Sequence, residues 1–363
     1  MSTGDAPVDA QATPETRALL ASLHRLTGEA TLFGHQDALA YGVEWTAAAG
    51  AAPRSDVEAV AGAFPAVFGF DLGGIELPGR TVNVDSVAFD DIRRHVVAAH
   101  AMGSVVTLSW HAWNPASGGN SWDTAAAVPQ ILPGGARHAE FLGWLDAVAG
   151  FLGSLEDADG RPVPVVFRPW HESTRDWFWW GRAHASDADG QALFRMTVEH
   201  LRDTRGLHNL LYSYAPHEPT SEAEYLTRYP GDEYVDVMGF DEYDALNRPV
   251  ADTSGVDRIA DRIAIVAGLA EARGKVAAIT ETGFEGLADA NWWTGQLLPA
   301  LRADRAARRI AYVMVWRNAT RASKPGHFYA PYPGQASAPD FVRFAAAPGI
   351  WLADDLPDLY AQP

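Results

Sequence analysis

Eight short runs of β-branched and aromatic residues, separated by longer stretches of helical period, dominate the chain and leave few folds open to it. They are ATLFG from Ala30, PAVFGF from Pro65, SVVTLSW from Ser104, PVVFRPW from Pro164, NLLYSY from Asn209, VDVMGF from Val235, VAAIT from Val276 and IAYVMVW from Ile310. Strands that alternate with helices build a parallel sheet, and eight such units close into a (β/α)8 TIM barrel. The intervening segments carry helix signals. Ser55-Asp56-Val57-Glu58 reads as a capping box, and DDIRRHVVAAHAMG ends at Gly103 just before the third strand. Gly206 and Gly274 end two more helices. From Val256 to Arg273 the spacing puts Ile259, Ile263 and Val266 on one face, with Asp257, Arg258 and Arg262 largely off it.

At 363 residues, without a repeat, a low-complexity tract or a dividing linker, the chain reads as one catalytic domain, 1–363, with elaborated βα loops and a flexible segment over 1–13. The stretch from Asn114 to Gly135 reads as a long loop after the third strand, and everything after Trp316 as irregular. Lys and Arg number 28 against 46 Asp and Glu, a net charge of −18 that repels polyanions and argues against nucleic acid as a partner. There is no Cys, so thiol nucleophiles and thiolate metal sites are excluded. No basic start followed by an apolar core opens the sequence, and no apolar run is long enough for a membrane span. A cytoplasmic protein without membrane association is the expectation, or a secreted one if a leader has been removed. Oligomeric state is not legible.

Polar residues at the C-terminal ends of barrel strands carry functional weight, because that face holds the active site. His35 and Asp37 follow strand one, Asp71 strand two and His111 strand three; Arg168, His171 and Glu172 follow strand four, Asp241 and Tyr243 strand six, and Glu281 strand seven. Glu172 and Glu281 lie on strands that face each other across the barrel mouth. Paired carboxyls are what a retaining glycosidase needs, roughly 5 to 5.5 Å apart, one ionised to attack the anomeric carbon and one protonated to assist departure. Arg168, four residues before Glu172, is placed to hold the partner carboxylate ionised, and His171 to orient one of the carboxyls. A lone Glu at a strand end would be read as a salt-bridged structural residue; this constellation is read as catalytic.

The 13 Trp add a second signature, since pyranose faces pack on indole rings. Trp110, Trp113, Trp122, Trp170, Trp177, Trp179, Trp180, Trp292, Trp293 and Trp316 fall in or beside strand-end loops. Many are expected only to pack loops together; a minority should touch sugar, Trp316 first and Trp177 or Trp180 next.

FRPWHE from Phe167 followed by DWFWWG from Asp176 resembles the acid/base signature of glycoside hydrolase family 26. ITETG from Ile279 resembles that family's nucleophile strand, GHQD from Gly34 its first-strand motif, SWHAW from Ser109 its third, GFDEY from Gly239 its sixth and VWRN from Val315 its last. The motifs run in the family's order over nearly the whole chain. The resemblance implies a β-mannanase-like retaining hydrolase with Glu172 as acid/base and Glu281 as nucleophile. It implies that Tyr243 bonds the nucleophile, that Trp316 is a platform for the attacked sugar, and that Arg317 touches the next sugar on the non-reducing side. His111, Arg168, His171 and Asp241 are implied substrate contacts, with Trp177 a supporting aromatic. No metal or cofactor is implied.

The expected substrate is β-1,4-mannan or manno-oligosaccharide. Mixed-linkage β-glucan and β-1,3-xylan stand as alternatives, because recognition of the axial hydroxyl rests on bonds that no sequence locates. Endo action and release of mannobiose are both open; a wall for the latter would come from the Asn114 to Gly135 loop or the insert around Tyr41 to Trp45. Two rival classes remain: a metal-dependent hydrolase using His35, Asp37, His111 and His171 on the same barrel, and a carbohydrate-binding protein without turnover.

Overall fold

The strand-forming runs pair as their period demands. A computed structural model describes residues 6–48 and 50–361 of the chain. Its strands are β1 (Thr31–Gln36), β2 (Val67–Asp71), β3 (Val105–Trp110), β4 (Val165–Pro169), β5 (Leu210–Tyr214), β6 (Val237–Glu242), β7 (Val276–Thr282) and β8 (Ile310–Val315). All neighbours are parallel, and β8 closes on β1 through Leu32↔Tyr312 to His35↔Val315, so the ring is a (β/α)8 barrel. Successive side chains on each strand go alternately inward and outward. Leu32, Val105, Val166, Leu211, Val237, Val276 and Met314 gather with Leu19, Leu20 and Leu23 of the helix Pro14–Leu26 into one buried cluster. That helix forms a floor under the barrel. The alternate residues, among them Phe33, Phe70, Leu108, Phe167, Phe240 and Val315, join the outer helices in a second cluster.

Helices Phe89–Ala101, His138–Leu152, Asp187–Glu199 and Ser254–Arg273 lie between strands as anticipated. Gly274 closes the last in a left-handed conformation, and Ser55 Oγ caps Asp56–Ala61 by accepting the Val57 amide. Among the described residues no helix is long and apolar enough to cross a membrane.

Four expectations are corrected. Residues 6–13 are tied down: the Val8 amide donates to Asp236, the Thr13 amide to the His208 carbonyl, and His208 pairs with Asp9. Residues 1–5 of the segment expected to be flexible lie outside the described residues. The chain after Trp316 is not all irregular, because Ala338–Ala345 is a helix and β9 (Ile350–Trp351) adds to β1 at Thr31↔Ile350. The long loop after β3 contains one helical turn, Val128–Ile131. Arg262 is buried and bonded to Glu242, since the carboxylate at the end of β6 draws it inward.

One internal arginine fixes the turn after β4. Arg228 is buried and donates to four carbonyls, those of Ser173, Trp180, Ala185 and Ser186, at 2.7 to 2.9 Å. A Cβ on Gly190 would stand 2.7 Å from its guanidinium, so the helix there must pass without a side chain. Arg228→Met takes this donor from the Ser173, Trp180 and Ala185 carbonyls, while Ser186 O keeps the Gly190 amide, and is expected to cost about 3 to 5 kcal/mol, given ~1 to 3 kcal/mol for each buried group left unsatisfied and partial entry of water. A fall in the urea midpoint at unchanged denaturant slope would register it.

Candidate active site

The C-terminal mouth of the barrel gathers three carboxyls around one guanidinium. Glu281 lies within β7, Asp241 near the end of β6, and Glu172 in the turn that follows β4. The β6–β7 ladder skips a residue between Phe240↔Ile279 and Asp241↔Glu281, which brings those two acids side by side. One oxygen from each of Glu172, Asp241 and Glu281 lies within 4.8 Å of the others, and all three are buried. Arg168 of β4 donates to Asp241 at 3.0 Å and to Glu281, and Tyr243 Oη donates to the other Glu281 oxygen at 3.1 Å.

Glu172 stands on strained backbone. It and Trp170, two residues away, both have φ of 55° without being glycine, a geometry costing ~1 to 3 kcal/mol each. Surrounding bonds enforce it: the Glu172 amide donates to Ala215 O at 2.8 Å, and Trp180 Nε1 donates to His171 O at 2.8 Å. Both Glu172 oxygens are engaged. Trp177 Nε1 donates to Oε2 at 2.6 Å, and His217 Nδ1 lies 3.0 Å from Oε1.

Charge is unevenly shared in this cluster. Burial raises Glu281, and the facing Glu172 raises it further, while Arg168 opposes both. Burial likewise pushes Asp241 well up against the pull of Arg168. Glu172 goes the other way: burial would raise it, but the bond and charge of His217 and the bond from Trp177 hold it below its ordinary value. With one arginine between them, Asp241 and Glu281 hold protons that isolated carboxyls would lose, and Glu172 does not.

On the opposite wall, His111 Nδ1 meets Asp71 at 2.8 Å and its Nε2 meets His171 Nε2 at 3.2 Å. Burial alone would lower His111, but Asp71 lifts it to about 9; burial and Arg168 hold His171 well below its ordinary value. The pair is thus an imidazolium donating to a neutral ring, and His171 orients His111 in place of a carboxyl. Trp316, half-buried, has its ring 6.1 Å from that of His111. Arg317 stands apart from the carboxyls, paired with Asp85 at 2.7 Å and reaching Tyr41 Oη at 3.4 Å. Tyr41 belongs to a short hairpin, Tyr41–Gly42 with Trp45–Thr46, so the insert after β1 lies against Arg317.

The tryptophans separate by exposure. Trp110, Trp179, Trp180, Trp292 and Trp293 are fully buried and pack loops, which removes Trp180 as a sugar platform. Trp122 and Trp177 are exposed and Trp316 half-buried. Of the residues that suggested a metal centre, His111 and His171 meet each other, but the other two are engaged elsewhere: His35 is buried beside Asn318, burial pushing it down to about 3, and Asp37 accepts from Tyr41. Among the described residues the one group of His, Cys, Asp or Glu close enough to share an ion is the three-acid cluster, where Arg168 already supplies the cation.

His217 and Glu218 were not anticipated. They follow β5, so the strand-end rule that picked out residues after the other strands would have found them too.

The sequence profile of the family described as "Glycosyl hydrolase family 26" matches residues 8–289. A protein of Bifidobacterium adolescentis named mannan endo-1,4-beta-mannosidase is 34% identical over 354 residues, covering 93% of this chain; the chain spans 34% of that relative's length. A GH26 beta-mannanase from Bacteroides ovatus superposes with a TM-score of 0.89 at 43% identity, over 96% of this chain and 98% of that one. GH26C from Muricauda gives 0.91 at 34% identity, over 99% and 97%.

Proposed function

We propose, from the premise that the chain belongs to glycosyl hydrolase family 26, that it hydrolyses β-1,4-mannosidic bonds in mannan or manno-oligosaccharides with retention of configuration. The observation that carries the reading is that one oxygen of Glu172, in the turn after β4, and one of Glu281, on β7, lie within 4.8 Å of each other at the barrel mouth. That separation leaves room for an anomeric carbon between the acids and none for a water besides it, which favours double displacement over inversion.

In this reading Glu281 attacks the anomeric carbon, its lone pair aimed by Arg168 and Tyr243, while Glu172 protonates the departing oxygen. Ester formation removes the charge on Glu281, so the pKa of Glu172 falls, and its carboxylate then takes a proton from water as the ester is hydrolysed. Trp316 supplies an apolar face for the attacked sugar beside His111. Arg317 is the group proposed to touch the neighbouring sugar, which its contact with Tyr41 of the Tyr41–Thr46 hairpin supports by fixing its position.

A mannosyl donor with fluorine at the second carbon and a good leaving group tests this directly. It is expected to leave its sugar esterified to the peptide bearing Glu281, seen as a mass increment after digestion. Label on another residue, or none with full turnover of the unfluorinated donor, would overturn the double displacement. Products from mannohexaose, lichenan and β-1,3-xylan test the substrate, with cleavage of the first alone expected. Rapid loss of mannan viscosity would mark mid-chain cutting, and steady release of mannobiose without it would mark an exo enzyme.

A further inference from the structure

His217 sits between two carboxylates. Its Nδ1 is 3.0 Å from Glu172 Oε1 and its Nε2 is 3.2 Å from Glu218 Oε1. Both ring nitrogens face oxygen, so both are best satisfied as N–H donors, which is the imidazolium form. The ring is held in that plane: Trp177 meets it edge to face at 4.9 Å, Tyr243 stacks at 6.3 Å, and the His217 amide donates to Thr174 Oγ1 at 3.2 Å.

Glu218 is anchored more firmly than a surface carboxylate. It accepts the amides of Tyr243 and Asp244 at 3.2 and 2.7 Å, and Arg175 and Arg262 lie at 3.6 and 3.7 Å. Its backbone is also left-handed, with φ of 44°. Burial would raise it, but His217 and these donors hold it down at about 2. The titratable groups facing His217 are therefore Glu172 from the β4 turn, Glu218 from its own turn and Tyr243 from beyond β6. Arg175 and Arg262 stand behind Glu218, and Arg168, Asp241 and Glu281 beyond Glu172. Burial lowers His217, but the two glutamates more than reverse this and raise it to about 10.

We propose that His217 stores the proton that Glu172 delivers to the leaving group, so that the alkaline limit of activity belongs to the Glu172–His217 pair and not to the carboxyl alone. The proposal rests on the reading of Glu172 as acid/base. In the empty cleft the proton is on Nδ1 and Glu172 is ionised. When sugar displaces water from Glu172, its neutral form gains; the Nδ1–H bond breaks, an O–H bond forms on the carboxyl, and a neutral imidazole remains bonded through Nε2–H to Glu218. Glu172 gives that proton to the glycosidic oxygen as the bond to the anomeric carbon breaks and the Glu281 ester forms. In the second half Glu172 takes a proton from the attacking water and returns it to Nδ1. His217 acts through Glu172 and is a positioning residue for the proton.

The alternative role, a fixed positive charge that merely depresses Glu172, makes the opposite prediction. Removing such a charge would raise the pKa of Glu172 and move the alkaline limb of kcat/KM upward. Removing a proton store leaves the carboxyl to hold its proton unaided and moves that limb downward.

The test is the pH profile of manno-oligosaccharide hydrolysis for wild type, His217→Asn, Glu218→Gln and Glu172→Gln, beside an aryl mannobioside whose leaving group needs no protonation. His217→Asn is expected to lower the alkaline limb by two pH units or more while glycosylation by the aryl substrate stays within about tenfold of wild type. Glu218→Gln, which weakens the clamp without removing the ring, is expected to lower the limb by less, and it serves if His217→Asn fails to fold. A limb that stays in place or rises in both variants overturns the proposal. Glu172→Gln separates the two layers. If it loses the oligosaccharide reaction but keeps a first-turnover burst of aryl release near the wild-type rate, with the later hydrolysis of the ester slowed, the acid/base reading stands whatever His217 does; if the burst is lost as well, that reading itself fails.

Discussion

Glu281→Ala is expected to lower kcat on mannan by on the order of 10⁵ or more, with the fold retained. The magnitude follows from the role: without the carboxylate no glycosyl ester forms, and the remaining acid and binding groups must work with water alone. The side chain is also boxed in by Arg168 and Tyr243, so no other nucleophile can take its place without rebuilding both contacts. Removing it relieves the crowding of three acids around one arginine, so the thermal midpoint should hold or rise. Steady-state rates with a two-hour detection window, together with calorimetry, would check both halves. Residual hydrolysis within a hundredfold of wild type would show that Glu281 is not the group that attacks.

The second large effect is at Arg168. Arg168→Met strips the cation from two buried carboxyls at once, and breaking a buried pair by removing one partner costs ~3 to 5 kcal/mol. Activity should fall by at least about 10² near pH 6, because burial and Glu172 already raise Glu281 and the arginine is what opposes them. The sign with pH is fixed. A carboxyl whose folded pKa lies above its unfolded one binds more protons when folded, so the variant loses stability as pH rises from about 4 through the folded pKa. The ionised fraction of the nucleophile grows over the same range, so relative activity should recover toward alkaline pH while stability declines. Denaturant midpoints and kcat measured across pH on the same preparations would reveal this crossing; parallel movement of the two would contradict it.

The barrel was legible because each strand is buried on both faces, so its run of apolar residues is nearly unbroken, and because glycines such as Gly103 and Gly274 punctuate the helices. The segment after Trp316 misled for the same reason in reverse. Pro325, Gly326, Pro331, Pro333 and Gly334 mark turns, and they mask the short helix Ala338–Ala345 that follows. Arg262 was misplaced since helical spacing says which way a side chain points but not whether an acid waits there; Glu242 does.

At the mouth of the barrel, Glu172 and Glu281 could be named from strand position, since the ends of the fourth and seventh strands both open onto it. His217 could not be tied to Glu172 in the same way. Its link depends on the turn after β4 curling back over the end of β5, where the Glu172 amide meets Ala215 O, and no periodicity encodes that. Trp180 and Trp177 were likewise inseparable by spacing. One is locked behind the turn through His171 O and the other opens onto the cleft, and the difference is made by packing alone.

The left-handed turn at Trp170 and Glu172 sets local conformational preference against chemistry. Glycine or asparagine would settle at either position with less distortion, so a chain drifting under selection for thermal robustness alone would discard the acid first. On the proposed reading, the acid is therefore the feature that must be actively maintained, while the cylinder beneath it is held by its own packing.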